Sequence, residues 1–141
     1  MLVHKGACDC GNVAFEVQGE LTIAVACRCP RCSRSGSLMW FVHMDRLHLL
    51  SSGEGLGTYT FDIHEIKRHF CQTCGIQPYA EVVDSQGHAM AAINIRCLEE
   101  IDVATVSVAE VDSCLDQASH ALPHTVTRTG TVYTSRVLYR S

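Results

Sequence analysis

Seven of the nine cysteines fall into three short motifs. Cys8 and Cys10 form a CxC pair followed by Gly11, and Cys71 and Cys74 form a CxxC pair followed by Gly75. Cys27, Cys29 and Cys32 make a CxCxxC turn, with Pro30 bending the chain between its last two cysteines. Thiolates two or three positions apart can face one cation, and a glycine just after them relieves crowding where backbone amides turn toward the sulfurs.

Together the CxC and CxxC pairs supply four sulfurs, the donor set of a closed, tetrahedral structural zinc site. Sixty residues lie between Cys10 and Cys71, so such a site would staple an amino-terminal turn to a hairpin late in the chain. Iron satisfies the same sulfur set, and zinc is the expectation. Four thiolates around a dication are a net anion. The neighbouring Lys67, Arg68 and His69 either soften that charge or form a solvated strand face.

The CxCxxC turn offers three sulfurs without an evident fourth. Three protein ligands plus an open position are the arrangement of a catalytic zinc, whereas a fourth protein ligand closes the site and makes it structural. Cys97 and Cys114 stand alone, Cys97 reading as a semi-buried cysteine at a strand end, and none of the eight histidines sits at a diagnostic spacing. Arg28, Arg31 and Arg34 interleave with the three thiolates. They serve as charge compensation or as a guanidinium partner for the carboxylates of an anionic thiol. Trp40 and Phe41, just downstream, read as core residues.

The elements that must hold these turns read as short strands. Val13, Phe15 and Val17 alternate with polar or small neighbours, the period-two pattern of a half-buried strand. Further runs at 21–26, 38–44, 47–51, 57–63, 78–83 and 88–95 are mostly β-branched or aromatic and separated by turn-formers. Gly53, Gly55 and Gly57 mark one turn, and residues 84–87 (DSQG) read as a hairpin connection. The stretch 98–117 fits either a strand or a short helix, and the VYTSRVLY run near the end keeps a strand-like alternation. The expectation is an all-β domain over residues 1–117, with 118–141 as an extension packed on it.

At 141 residues the chain has the length of one domain. A formal charge of -4 and a pI near 6.0 give no global attraction to phosphate backbones or anionic lipid, which argues against nucleic acid and membrane as partners. No apolar run approaches the roughly 20 residues that span a bilayer, and residues 1–7 lack a signal-peptide core. A cytoplasmic protein is therefore expected, where closely paired cysteines favour metal thiolates over disulfides. The composition leaves the oligomeric state open.

In order along the chain, GACDCGNVAFEV, CRCPRCSRSGS, the glycine-containing loop, RHFCQTCG and INIRCLEEID resemble the glutathione-dependent formaldehyde-activating enzyme family, which includes the domain of centromere protein V. The resemblance covers about the first four-fifths of the chain, and three ordered cysteine motifs are far more specific than one CxxC. It implies coiled antiparallel sheets and two zinc ions per chain, a structural one on Cys8, Cys10, Cys71 and Cys74 and a second on Cys27, Cys29 and Cys32. It also implies a carbon-sulfur lyase or adduct-forming reaction that joins glutathione, or another small thiol, to formaldehyde or another small aldehyde. Arg28 stands where the family often has histidine, IQPY follows the CxxCG where threonine and a later phenylalanine are common, and the residues after about 117 match no family motif. The cysteines are intact; these departures leave the thiol and the aldehyde open. A noncatalytic zinc-binding interaction module, or a redox sensor using the CxCxxC turn, is the reading from another class.

Overall fold

The computed structural model describes residues 2–60, 66–84 and 86–112. Their chain order is β1 (Val3–Ala7), β2 (Ala14–Gln18), β3 (Ala24–Cys27), a short helix α1 (Pro30–Ser35), β4 (Met39–His43), β5 (Leu47–Leu49), β6 (Leu56–Thr60), β7 (Lys67–Cys71), β8 (Tyr79–Val83), β9 (Ala89–Asn94) and β10 (Val108–Val111). The result is the expected all-β architecture with one helix among the described residues. The 118–141 extension and Cys114 lie outside those residues.

Two sheets form. The small one has the order β1-β2-β5, and the large one β10-β3-β4-β9-β8-β7-β6. Every pairing is antiparallel except β10 with β3, which is parallel and sets Val111 beside Cys27. As far as residue 112, where description of this stretch ends, the ambiguous segment after residue 98 takes the form of a 3-10 turn at Val103–Thr105 and then the edge strand β10.

The sheets stack through side chains that alternate along each strand. Phe15 and Val17 of β2 and Leu47 of β5 meet Trp40, Tyr79, Ala91 and Ile93 of the large sheet in one buried cluster. Phe15, Val17 and Ile93 are completely buried, each worth about 1.5–3 kcal/mol relative to exposure. Thus one face of the large sheet belongs to the main core. Its other face carries Val25, Cys27, Met39, Ala80, Ala92 and Val111, a second buried cluster.

Cross-strand register explains that division. Trp40 lies opposite Ile93 and Phe41 opposite Ala92, so the first pair faces the core and the second faces away from it. Trp40 is a core residue as expected. Phe41 is half-buried and packs instead beside the CxCxxC cysteines. Gly57, which the sequence places both in a glycine turn and at the start of the 57–63 run, is a β6 residue opposite Phe70. The Phe70 ring covers it so closely that an added Cβ would sit 2.5 Å from the ring.

Candidate metal centres

The first cluster gathers four sulfurs from two turns. Cys8 follows β1, Cys71 ends β7, and the intervening chain returns so that Cys8, Cys10, Cys71 and Cys74 all lie within 4.8 Å of one another. The Sγ atoms of Cys8 and Cys10 are 3.7 Å apart, and those of Cys10 and Cys71 3.6 Å. A tetrahedral ion with metal–sulfur bonds of about 2.3 Å requires sulfurs about 3.8 Å apart. The donor set and its spacing therefore fit such a cation.

Both turns aim amides at sulfur. The Val13 amide donates to Cys8 Sγ at 3.3 Å, and the Thr73 and Cys74 amides each donate to Cys71 Sγ at 3.4 Å. Turning the chain this sharply places Gly75 at φ 83° and Gly11 at φ 85°, where a side chain is strained. Asn12 Nδ2 donates to Thr73 Oγ1 at 3.0 Å and ties one turn to the other. Val13 is fully buried beneath the sulfurs with Cys8 and Cys71; it belongs to this turn, and β2 begins one residue later.

These contacts divide the protons unevenly. The Cys74 and Thr73 amides, with the Cys10 and Cys74 thiols, outweigh burial and draw Cys71 down to about 6. For Cys10 the Asn12 amide pulls downward, but burial and hydrogen bonds with Cys71, Cys8 and Cys74 win and push it up to about 12. Cys74 is lowered, chiefly by the Ile76 amide. Four packed sulfurs do not all ionise alone; a dication would replace the protons they otherwise share.

The second cluster is built on the opposite face of the large sheet. Cys27 ends β3, Cys29 caps α1, and Cys32 lies in its first turn, with the three sulfurs again within 4.8 Å. The Cys29 amide donates to Cys27 Sγ and the Cys32 amide to Cys29 Sγ, both at 3.4 Å. Pro30 at the start of α1 suits a helix terminus, where its missing N–H has no partner to lose. Cys27 and Cys32 are buried, whereas Cys29 is half-exposed, so the cluster has an apolar floor and one accessible side. No fourth cysteine, histidine or carboxylate joins it among the described residues.

Three arginines were candidates here. Arg28 Nη2 pairs with Glu110 Oε1 at 3.3 Å, both side chains being more than a third exposed, and Arg34 donates to the Pro30 carbonyl at 3.1 Å. These contacts brace α1 and the β3 end. The basic trio on β7 departs from both of its expected roles. Only Lys67 is exposed. Buried His69 lies between Thr58 Oγ1 at 2.9 Å and Glu81 Oε2 at 2.7 Å. Arg68 is buried as well, and its Nη2 donates to Cys32 Sγ at 3.7 Å. The sequence had placed Arg68 beside the first cluster because Cys71 is only three residues away; strand alternation turns it to the second.

Cys97 sits in a 3-10 turn after β9, half-buried and outside both clusters. Burial, reinforced by the charges of Cys8 and Cys74, pushes its thiol up to about 11. No helix among the described residues is long and apolar enough to cross a membrane.

Comparison with known proteins agrees with this geometry. Residues 3–112 match the model of a family described as glutathione-dependent formaldehyde-activating enzyme, a span that contains both cysteine clusters. The fold is similar to the crystal structure of a Rhodobacter sphaeroides protein, with a TM-score of 0.65 and 27% sequence identity over 74% of this chain and 99% of that one.

Proposed function

This chain belongs to the glutathione-dependent formaldehyde-activating enzyme family, and on that premise we propose that it joins a small thiol such as glutathione to formaldehyde or a similar small aldehyde, with zinc at both cysteine clusters. The observation that carries this reading is the inequality of the two sites. Cys8, Cys10, Cys71 and Cys74 complete a four-sulfur set, whereas Cys27, Cys29 and Cys32 gather three sulfurs, Cys29 half-exposed, with no fourth cysteine, histidine or carboxylate beside them among the described residues. A closed set suits a structural ion and an open set suits substrate entry.

When bound, zinc at the open cluster would favour the thiolate form of an entering substrate thiol near neutral pH. Cys27, Cys29 and Cys32 hold that position. Val25, Met39, Ala80, Ala92 and Val111, with Phe41 against them, exclude water from beneath it and so confine approach to one side. In the reaction, the sulfur lone pair forms the new C–S bond and the carbonyl π pair moves to oxygen. That oxygen takes up a proton to balance the one the thiol gave up. No atom is oxidised or reduced, so the step asks only for a redox-inactive cation such as zinc.

The test combines metal content with rate. The purified protein is expected to carry two zinc ions per chain and to shorten the time to equilibrium between glutathione and formaldehyde relative to the same solution without it. A doubly loaded, folded protein that leaves the uncatalysed rate unchanged with glutathione and with several other thiols would sink the enzymatic reading and favour a zinc-binding interaction module. Zinc content that stays at one per chain would remove the open site.

A further inference from the structure

Arg68 is a buried cation whose hydrogen-bonding atom reaches a sulfur of the second cluster. Its relative exposure is 7%, and Nη2 donates to Cys32 Sγ at 3.7 Å. A guanidinium in such a place needs negative charge nearby to offset its desolvation. Three thiolates around a dication carry one net negative charge, and an entering thiolate raises that to two. The arginine lowers each total by one.

We propose that Arg68 is a positioning residue of the second cluster: by donating to Cys32 Sγ it fixes that ligand and offsets the charge that builds up when a substrate thiolate enters. The proposal rests on the reading of Cys27, Cys29 and Cys32 as a cation site. Two features of the fold and one of the side chain support it. Arg68 lies opposite Ala80 in the β7–β8 pairing, and Ala80 lies opposite Ala92 in the β8–β9 pairing. Both alanines belong to the apolar cluster that contains Cys27 and Cys32, so the long side chain crosses small neighbours to reach the sulfur. Finally, the planar fork of arginine can hold a sulfur with one N–H while its other donors remain engaged elsewhere, which a lysine ammonium does less well.

Outer contacts of this kind commonly change metal affinity by about 10–100-fold when removed. The experiment compares wild type, Arg68→Met and Arg68→Lys by titrating cobalt(II) or zinc against a chromophoric chelator, which resolves the tighter first site from the second. Arg68→Met is expected to weaken the second site by about 10–100-fold and to raise the KM for glutathione more than it lowers kcat. Arg68→Lys should restore part of both. The thiolate-to-cobalt absorption of the four-sulfur site reports folding in the same samples and should be unchanged. An unchanged second-site affinity in folded Arg68→Met overturns the role of Arg68. So does loss of the first-site absorption in both variants, which would make the residue a general packing element. Wild type that binds a single cation refutes instead the metal reading on which the proposal rests.

Discussion

Arg68 and Cys71 leave the same strand toward opposite faces of the seven-stranded sheet, Arg68 to the Cys32 sulfur and Cys71 into the four-sulfur cluster. Their separation of three residues is odd, and odd separations in a strand change face. β7 is therefore common to both clusters. A cation that fixes Cys71 also fixes the register that delivers Arg68, which gives the closed site a reason to matter for the open one without any shared ligand.

The first prediction follows from where each cluster acts. The four-sulfur set joins the β1–β2 turn of one sheet to the β7 end of the other, so its binding free energy contributes to folding. The CxCxxC turn is local to one chain segment. Cys74→Ser is expected to lower Tm by about 10 °C or more, corresponding to roughly 3 kcal/mol in a domain of this size, and Cys32→Ser by less than half as much. Thermal unfolding of the zinc-loaded variants measures both; equal losses would show that the two clusters do not divide into staple and open site.

Those clusters were the most legible feature of the sequence, because CxC, CxxC and CxCxxC declare local geometry within a few residues. The strands with β-branched or aromatic alternation were also legible, as at Phe15 and Val17. β7 was not among the expected apolar runs, and a strand at Lys67–His69 entered only as the alternative of a solvated face. KRHFC reads as polar, since two of its buried residues, Arg68 and His69, are hidden by partners contributed from Cys32, Thr58 and Glu81. β1 was missed for a related reason, with burial pattern exposed or intermediate except at Gly6. Nor does any local signal state that β10 runs parallel to β3, because that choice is made between distant segments. The six residues of α1 are too few to show a helical period.

A second prediction concerns Gly57. An added Cβ would stand 2.5 Å from Phe70 Cζ and 2.8 Å from Cε2, and the ring or the backbone must shift to admit it. Gly57→Ala is expected to cost about 1–3 kcal/mol. Urea denaturation measures the loss, and the double variant Gly57→Ala with Phe70→Leu should recover part of it. Equal stability of Gly57→Ala and wild type would refute the close-packing account.

The third prediction concerns Cys97. Its thiol is pushed up to about 11, mainly by burial, so in the folded protein it remains protonated well beyond the ordinary value of 9.0. The sign for stability follows. The protonated state favours folding fully below pH 9, and the advantage is lost as pH rises through 9 toward 11, where the unfolded chain ionises first. Cys97→Ser should bind as much zinc as wild type and lose less stability than wild type does between pH 9 and pH 11. Loss of a zinc equivalent in this variant would reveal a ligand role.

The last prediction separates the open cluster from the rest of the molecule. Cys29 is the half-exposed sulfur of the three, and its amide and sulfur both take part in the turn, the amide donating to Cys27 and the sulfur accepting from Cys32. Serine preserves the side-chain size and can cap α1, since hydroxyl oxygens are effective N-caps, but it removes one thiolate from the donor set. Cys29→Ser should therefore fold with its four-sulfur site filled, bind one zinc per chain, and return the glutathione–formaldehyde reaction to its uncatalysed rate. That rate is appreciable without a protein, so the comparison requires identical thiol and aldehyde concentrations with and without each variant. Second-site zinc and acceleration should disappear together. If Cys29→Ser loses the second zinc yet accelerates the reaction as wild type does, the chemistry does not occur at the CxCxxC cluster, and the half-exposed Cys29 side is not where the thiol enters.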